Sequence, residues 1–183
     1  MSNLSAAGQR RIEVSLLVAF IDLAGFALQS TRVADDEIAE VIDDYYATVA
    51  EHVTAAGGRV VKYMGDGSLV VFEADDADRG IAALLELKLA LDRSLGGRGW
   101  ECRATIKAHV GSVIAGPYGP PGDRRFDVIG KAVNTAAMLD ASGVALSTEA
   151  FRKLSPATRK RFKKHTWPIT YIRVEDPHKF RRR

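Results

Sequence analysis

Two aspartates lie where the local sequence would expose them at one end of a sheet. Asp22 follows an apolar run, Val14 to Ile21, that is typical of a strand buried on both faces. Asp66 lies in "KYMGDGSLVVF", where Asp-Gly between apolar residues predicts a tight β-hairpin. If the hairpin pairs beside the first strand, the two carboxylates converge, and close carboxylates require a neutralising cation. Oxygen ligands of this kind suit Mg²⁺ or Mn²⁺ held jointly with substrate phosphates.

Each aspartate by itself also has a purely structural explanation. Asp22 could cap the turn that follows it, and Asp66 could simply occupy a turn. The turn in "DLAGF" favours the functional interpretation, because backbone N–H groups around Gly25 could contact phosphate oxygens. The chain has no GK[ST] sequence, which excludes a Walker-type phosphate loop.

Around these residues, segments with the two-residue periodicity of a strand alternate with segments that have the 3.6-residue periodicity of a helix. We predict a strand over 13–21, a helix within 34–58, a hairpin over 59–73, a helix from about 75 to Gly96, two strands about Gly111, a short strand at 126–130, a helix after Gly130, a short helix near 156–162 and a last strand over 169–174. The order β-α-β-β-α-β-β-α-β predicts an α+β sandwich in which helices cover a mostly antiparallel sheet.

Length and composition indicate one globular domain. The chain has 183 residues, of which 46% are hydrophobic and 27% charged. Its single cysteine, Cys102, excludes an internal disulfide and a cysteine zinc cluster. The longest apolar run is too short to cross a bilayer, and the first residues do not resemble an export signal. We therefore expect a cytoplasmic protein with no transmembrane segment.

The charges are distributed unevenly along the chain. Residues 1–150 contain 14 Lys and Arg against 21 Asp and Glu, whereas residues 151–183 contain 12 against 2. A basic tail of this kind can bind nucleic acid, although a solvated terminus is the simpler explanation. Because no basic strand with interleaved aromatic residues is present, we expect no nucleic-acid partner.

Four segments, in order, resemble the catalytic domain of the class III nucleotide cyclases, the adenylate and guanylate cyclase family. They are "FIDLAGF", "KYMGDG", "HVGSVIAG" and "FDVIGKAVNTAAML". The resemblance covers roughly residues 13–174, so we divide the chain into an extension (1–12), a catalytic domain (13–176) and a basic tail (177–183). It implies a ferredoxin-like core that forms a head-to-tail dimer with active sites at the interface.

The resemblance also implies roles for residues near the first strand and the hairpin. Asp22 and Asp66 correspond to the family's two metal carboxylates, and the backbone carbonyl of Leu23 to an additional ligand. These groups would bind two divalent ions, Mg²⁺ or Mn²⁺. Gly25 and Phe26 correspond to the turn that contacts the substrate's phosphates.

Lys62 and Asp127 correspond to the pair that recognises the purine in adenylate cyclases. Adenine presents an acceptor at N1 and a donor at N6, which a lysine and an aspartate can satisfy respectively. Guanylate cyclases usually have glutamate and a small residue there, so the resemblance implies ATP as the substrate. Asn134 corresponds to the asparagine that orients the ribose and supports the transition state.

Two positions depart from the family pattern. Met138 lies four residues after Asn134, on the same helical face, where the family usually has an arginine. Ile169 replaces a late lysine or arginine. These losses leave two hypotheses: a weak, Mn²⁺-preferring adenylate cyclase acting as a homodimer, or an impaired nucleotide-binding module that regulates or pairs with another cyclase domain as a heterodimer. Five nearby cations could substitute for the missing ones: Arg124, Arg125, Lys131, Lys163 and Lys164.

Overall fold

The computed structural model describes residues 3–166 and 168–177, so positions 178–183 of the predicted basic tail lie outside the described residues. The strands are β1 (Ile12–Ala24), β2 (Arg59–Met64), β3 (Gly67–Glu73), β4 (Arg103–Tyr118), β5 (Arg125–Ile129), β6 (Val144–Leu146), β7 (Phe162–His165) and β8 (Thr170–Arg173). The α-helices are α1 (Asn3–Ala7), α2 (Phe26–Ser30), α3 (Asp35–Ala55), α4 (Ala77–Gly97), α5 (Lys131–Met138), α6 (Thr148–Arg152) and α7 (Pro156–Arg159).

These strands form one sheet in the order β2-β3-β1-β4-β6-β8-β7, and β5 pairs separately with β4. The β4–β6 pair is parallel, and the other pairs are antiparallel. The prediction of an α+β fold with a mostly antiparallel, helix-covered sheet is confirmed.

The central strand, β1, is buried on both faces, as its apolar sequence predicts. Leu17 and Ile21 belong to the core under α3 and α4, whereas Leu16 and Val18 belong to the core on the opposite face. The strand continues through Asp22 to Ala24 because β4 pairs with it along its whole length. The prediction that the strand ends at residue 21 was wrong.

Helices cover both faces of the sheet unequally. The long helices α3 and α4 bury one apolar face each, with Val41 and Val49 of α3 and Leu84 and Leu91 of α4 in the larger core. The short helices α1 and α5 pack on the other face. That second face is only partly covered, and Phe20 remains partly exposed there.

The segment around Gly111 forms one strand, β4, instead of the two strands that we predicted. Gly111 is therefore not a turn residue. A β-carbon built there would lie 2.8 Å from the β-carbon of Ala132 and 2.8 Å from Nε2 of His109. The glycine is needed because α5 packs closely against the sheet at this point.

The C-terminal part also differs from the prediction. The helix expected near 156–162 ends at Arg159, and Phe162–His165 form the edge strand β7. This short polar strand is stable as a strand only because it pairs with β8. Local sequence patterns do not show such pairing.

The N-terminal residues fold against the domain. In α1, Leu4 and Ala7 are buried, and the Leu4 N–H donates to Glu73 Oε1 at 2.8 Å. None of the helices in the described part of the chain is long and apolar enough to span a bilayer.

Candidate active site

The two candidate metal aspartates lie close together, Asp22 on β1 and Asp66 in the turn that joins β2 to the neighbouring strand β3. Asp22 of β1 is paired with Gly67 of β3 on one side and with Thr105 of β4 on the other. Directly before Gly67, the Asp66 carbonyl oxygen accepts a hydrogen bond of 3.2 Å from the Leu23 N–H. The sheet therefore brings the hairpin turn to Asp22, as the sequence predicted.

The turn that presents Asp66 is a two-residue hairpin loop made of Gly65 and Asp66. Gly65 has φ of +65°, and no residue other than glycine has positive φ in the described part of the chain. A positive φ at the first central position is the pattern of a type II′ turn. The turn thus centres on Gly-Asp, one residue earlier than the Asp-Gly centre that we predicted.

Two adjacent tyrosines of α3 hold this end of the sheet from beneath. The Tyr45 hydroxyl lies 2.9 Å from Ser68 Oγ and 3.3 Å from the Ile21 carbonyl oxygen. The Tyr46 hydroxyl donates to the Gly65 carbonyl oxygen at 3.1 Å. The sequence predicts the helix but not this positioning role of its tyrosines.

The pKa of Asp22 reflects its burial and the nearby carboxylate of Asp66. Burial raises the pKa of Asp22, and the charge on Asp66 raises that pKa further. The ammonium of Lys107 acts in the opposite direction and lowers the pKa of Asp22. A bound cation would relieve the repulsion between the two carboxylates.

The donor set fits a hard divalent cation that completes its coordination with substrate and water. Asp22 and Asp66 supply carboxylate oxygens, which Mg²⁺ and Mn²⁺ prefer. Within residues 3–166 and 168–177, no group of three or more His, Cys, Asp or Glu side chains is arranged to hold a metal ion. Ions here would consequently need further oxygens, such as a backbone carbonyl and phosphate groups.

A pocket of about 280 Å³ opens above Asp22. Its walls come from β1, the hairpin, β4 and the end of α5: Phe20, Ile21, Asp22, Met64, Gly67, Thr105, Lys107 and Ala137. The pocket lies on the thinly covered face of the sheet.

The two predicted purine-recognition residues contact each other. Lys62 Nζ lies 2.6 Å from Asp127 Oδ2, although the residues belong to β2 and β5. The other oxygen of Asp127 accepts the Val128 N–H at 2.8 Å, which orients the carboxylate. A register shift between Val60 and Lys62 marks an irregularity in β2 just before the lysine.

The predicted phosphate turn joins β1 to α2. Gly25 has φ of +91°, a conformation that favours glycine, and Phe26 begins the helix. The Phe26 ring packs 5.5 Å from the Trp100 ring, which ties α2 to the domain.

The two α5 residues singled out from the sequence, Asn134 and Met138, face outwards. Asn134 is exposed, and Met138, the last residue of the helix, has 84% of its surface exposed. Ile169 is 51% exposed just before β8. The structure therefore places Asn134 on a different element from the aspartate cluster and from the Lys62–Asp127 pair.

The candidate substitute cations are scattered. Lys163 and Lys164 lie in β7 at the far edge of the sheet, and Arg125 pairs with Asp123 at 3.1 Å. Sequence reasoning missed Lys107, which lines the pocket beside Asp22. No local sequence pattern could have identified Lys107, because the register between β1 and β4 places it near Asp22.

The fold and the paired carboxylates define a nucleotide-cyclase type of domain, and the comparisons with known proteins agree. The family described as "Adenylate and Guanylate cyclase catalytic domain" matches residues 8–173. The chain belongs to this family.

Similar proteins include adenylate cyclases of Streptomyces coelicolor (33% identical over 133 residues, 72% of this chain and 31% of that protein) and Anabaena cylindrica (29% over 143 residues, 74% and 28%). The chain thus spans about a third or less of the length of these relatives.

Solved structures with the same fold include a bacterial light-regulated adenylyl cyclase (TM-score 0.81, 19% identity, 93% of this chain and 55% of that one). The guanylyl cyclase Cya2 is also similar (TM-score 0.76, 23% identity, 88% and 91%).

Proposed function

We propose that this domain converts ATP to cyclic AMP and pyrophosphate, slowly and with a preference for Mn²⁺. The observation that supports this best is the 2.6 Å contact between Lys62 and Asp127, which forms a ready donor and acceptor for adenine. The names of the two adenylate cyclases that the chain resembles support the same choice of base.

In the proposed reaction the ribose 3′-oxygen bonds to the α-phosphorus, its proton passes to solvent water, and the bond to the pyrophosphate oxygen breaks so that pyrophosphate leaves. Asp22, Asp66 and the Leu23 carbonyl would hold two divalent ions. Those ions would neutralise phosphate charge and activate the attacking hydroxyl. Gly25 and Phe26 would contact the phosphates through backbone N–H groups.

Asn134 would orient the ribose from α5. Because Asn134 lies on the exposed side of its helix, it is available to a second protomer in a head-to-tail dimer. We propose such a homodimer as the active form.

The low activity follows from Met138. Its exposed thioether cannot donate to the charge that develops on the α-phosphate, and losing one such donor commonly costs about 10²–10³ in turnover. The same observation favours a second candidate function, an impaired nucleotide-binding module that pairs with another cyclase domain.

The deciding experiment measures cyclic AMP formed from ATP with Mn²⁺ by the native chain, by Asp22→Ala and by Glu13→Gln. Glu13 is a matched control, since it is a carboxylate on the same strand that bonds Ser112 at 2.7 Å. We expect activity in the native chain and in Glu13→Gln but not in Asp22→Ala. If the native chain makes no more product than Asp22→Ala, the enzyme proposal is wrong and the second candidate gains support.

A further inference from the structure

Lys107 is a positive charge that this chain places in the same pocket as Asp22, one of its two candidate metal ligands. In the register of β1 and β4, Phe20 pairs with Lys107 and Asp22 with Thr105. Directly paired residues point to one face of an antiparallel sheet, so all four side chains share the face that opens into the pocket. Lys107 is thus the diagonal neighbour of Asp22, about 7–8 Å away at the backbone.

The ammonium group has capacity left for a ligand. Lys107 Nζ donates to the carbonyl oxygen of Ala137 at 3.2 Å. An ammonium has three donors, so a helix-end carbonyl satisfies one of them. The ammonium group and Asp22 line one pocket, so the positive charge lies close to that carboxylate.

The contact with Ala137 also places the ammonium beside the departure from the family pattern. Ala137 precedes Met138, the exposed position where an arginine is expected. One end of the pocket therefore has a cation on β4 next to the C-terminal end of α5, where Met138 carries no charge.

The alternative explanation is that Lys107 has only a structural role and holds the end of α5 through its bond to Ala137. Lys163 provides the comparison, since its Nζ also donates to a backbone carbonyl, that of Val174 at 2.8 Å. Lys163 lies in the edge strand β7, with β8, β6 and β4 between it and β1. The two lysines differ in their surroundings, because Lys107 lines the pocket that contains Asp22 and Lys163 does not.

We infer that Lys107 binds a phosphate oxygen of the nucleotide in this pocket. The ammonium is a point charge with free donors, which is how lysines bind phosphate. The inference rests on the proposed function only for the identity of the ligand as a nucleotide; the chemistry it requires is a pyrophosphate-like anion.

The test measures pyrophosphate binding by titration calorimetry in the presence of EDTA, so that no metal contributes. The variants are Lys107→Met, which removes the charge; Lys107→Arg, which keeps it; and the matched control Lys163→Met. A hydrogen bond to a charged group contributes about 1.5–3 kcal/mol, so we expect Lys107→Met to bind about 10–100-fold more weakly. Lys107→Arg and Lys163→Met should bind as the native chain does.

Mn²⁺ binding without nucleotide, followed by electron paramagnetic resonance, gives an independent readout. Removing a cation from beside Asp22 lowers the local positive charge, so Lys107→Met should bind Mn²⁺ several-fold more tightly. This readout tests the premise that the Lys107 charge acts at Asp22, and an unchanged Mn²⁺ affinity would contradict that premise.

The inference is overturned if the native chain binds no pyrophosphate, or if Lys107→Met binds it normally. It is also overturned if Lys107→Met and Lys107→Arg lose binding equally together with a lower melting temperature, because that indicates only a structural contact. Neither measurement requires turnover. A chain that makes no cyclic AMP but shows Lys107-dependent pyrophosphate binding would contradict the proposed activity and support this inference.

Discussion

Two regions of the domain differ in how they relate to nucleotide chemistry. The hairpin end, made of β1, β2 and β3, contains the carboxylates of Asp22 and Asp66 and a lysine, Lys62, that contacts Asp127, and α3 holds it from beneath. The α5 surface, the exposed side of Lys131–Met138, has the expected asparagine but a methionine four residues later.

The two regions also differ in how the fold holds them. The hairpin end is assembled within one chain, by strand register and buried hydroxyls. The α5 surface is the exposed side of its helix, so a substitution at Met138, which is 84% exposed, should cost the fold little.

The largest effect should come from breaking the hairpin end at Lys62. Lys62→Glu places two carboxylates together at Asp127 and reverses the donor offered to adenine N1. We expect a loss of about 10²-fold or more in kcat/KM for ATP, because a site built to hydrogen-bond its substrate strongly rejects a mismatch. The measurement compares ATP and GTP as substrates.

A matched control for Lys62→Glu is Lys153→Glu. Lys153 also pairs with an aspartate, Asp75, at 3.1 Å, but it lies in the segment after α6. Equal losses from both variants would show a general charge effect and contradict the recognition role of Lys62.

Adding a positive charge to the α5 surface should raise turnover. Met138→Arg restores a cation at the end of the helix, and we expect a rise of about 10²-fold in kcat, measured as cyclic AMP formation with Mn²⁺. Met138→Gln, polar but uncharged, is the control. Little gain from arginine in an active native chain would mean that another cation, Lys107 foremost, already acts there.

The support beneath the hairpin end can be tested through stability. Tyr45→Phe leaves the buried Ser68 hydroxyl without its tyrosine partner, and we expect the free energy of unfolding to fall by about 1–3 kcal/mol. Tyr118→Phe is the control, since that hydroxyl donates to Ile114 on the surface and should contribute less than about 0.5 kcal/mol. Denaturant titration measures both. Equal losses would show that Tyr45 has no special role.

The smallest effect concerns His109, on β4 away from the hairpin end. Burial lowers the pKa of His109, Glu149 raises it in part, and the ring lies 2.8 Å from Ser147 Oγ. Because the folded state binds the proton less readily than the unfolded state, stability should decrease as the pH falls through and below the ordinary histidine pKa.

The slope attributable to His109 is at most about 1.4 kcal/mol per pH unit, and His109→Gln should remove it from the pH dependence of unfolding. His52→Gln, a partly buried histidine of α3, is the control. An unchanged slope in His109→Gln would contradict this assignment.

The sequence predicted most of the hairpin end because its signals are local. Asp-Gly chemistry indicates a hairpin, and an apolar run of eight residues indicates a buried strand. The predictions for β4 and β7 were wrong for two reasons. Gly111 allows α5 to pack closely against β4 and does not form a turn, and β7 is a strand because it pairs with β8. These are interactions between distant parts of the chain.

The sequence by itself determined the residue types that could do chemistry, the order of the elements around them and the positions that lack a cation. Only the tertiary structure decided which residues meet: Lys62 with Asp127, the tyrosines of α3 with the hairpin, and Lys107 with the pocket of Asp22. The reason is that strand register and helix packing set these distances, and both depend on contacts between residues far apart in the chain.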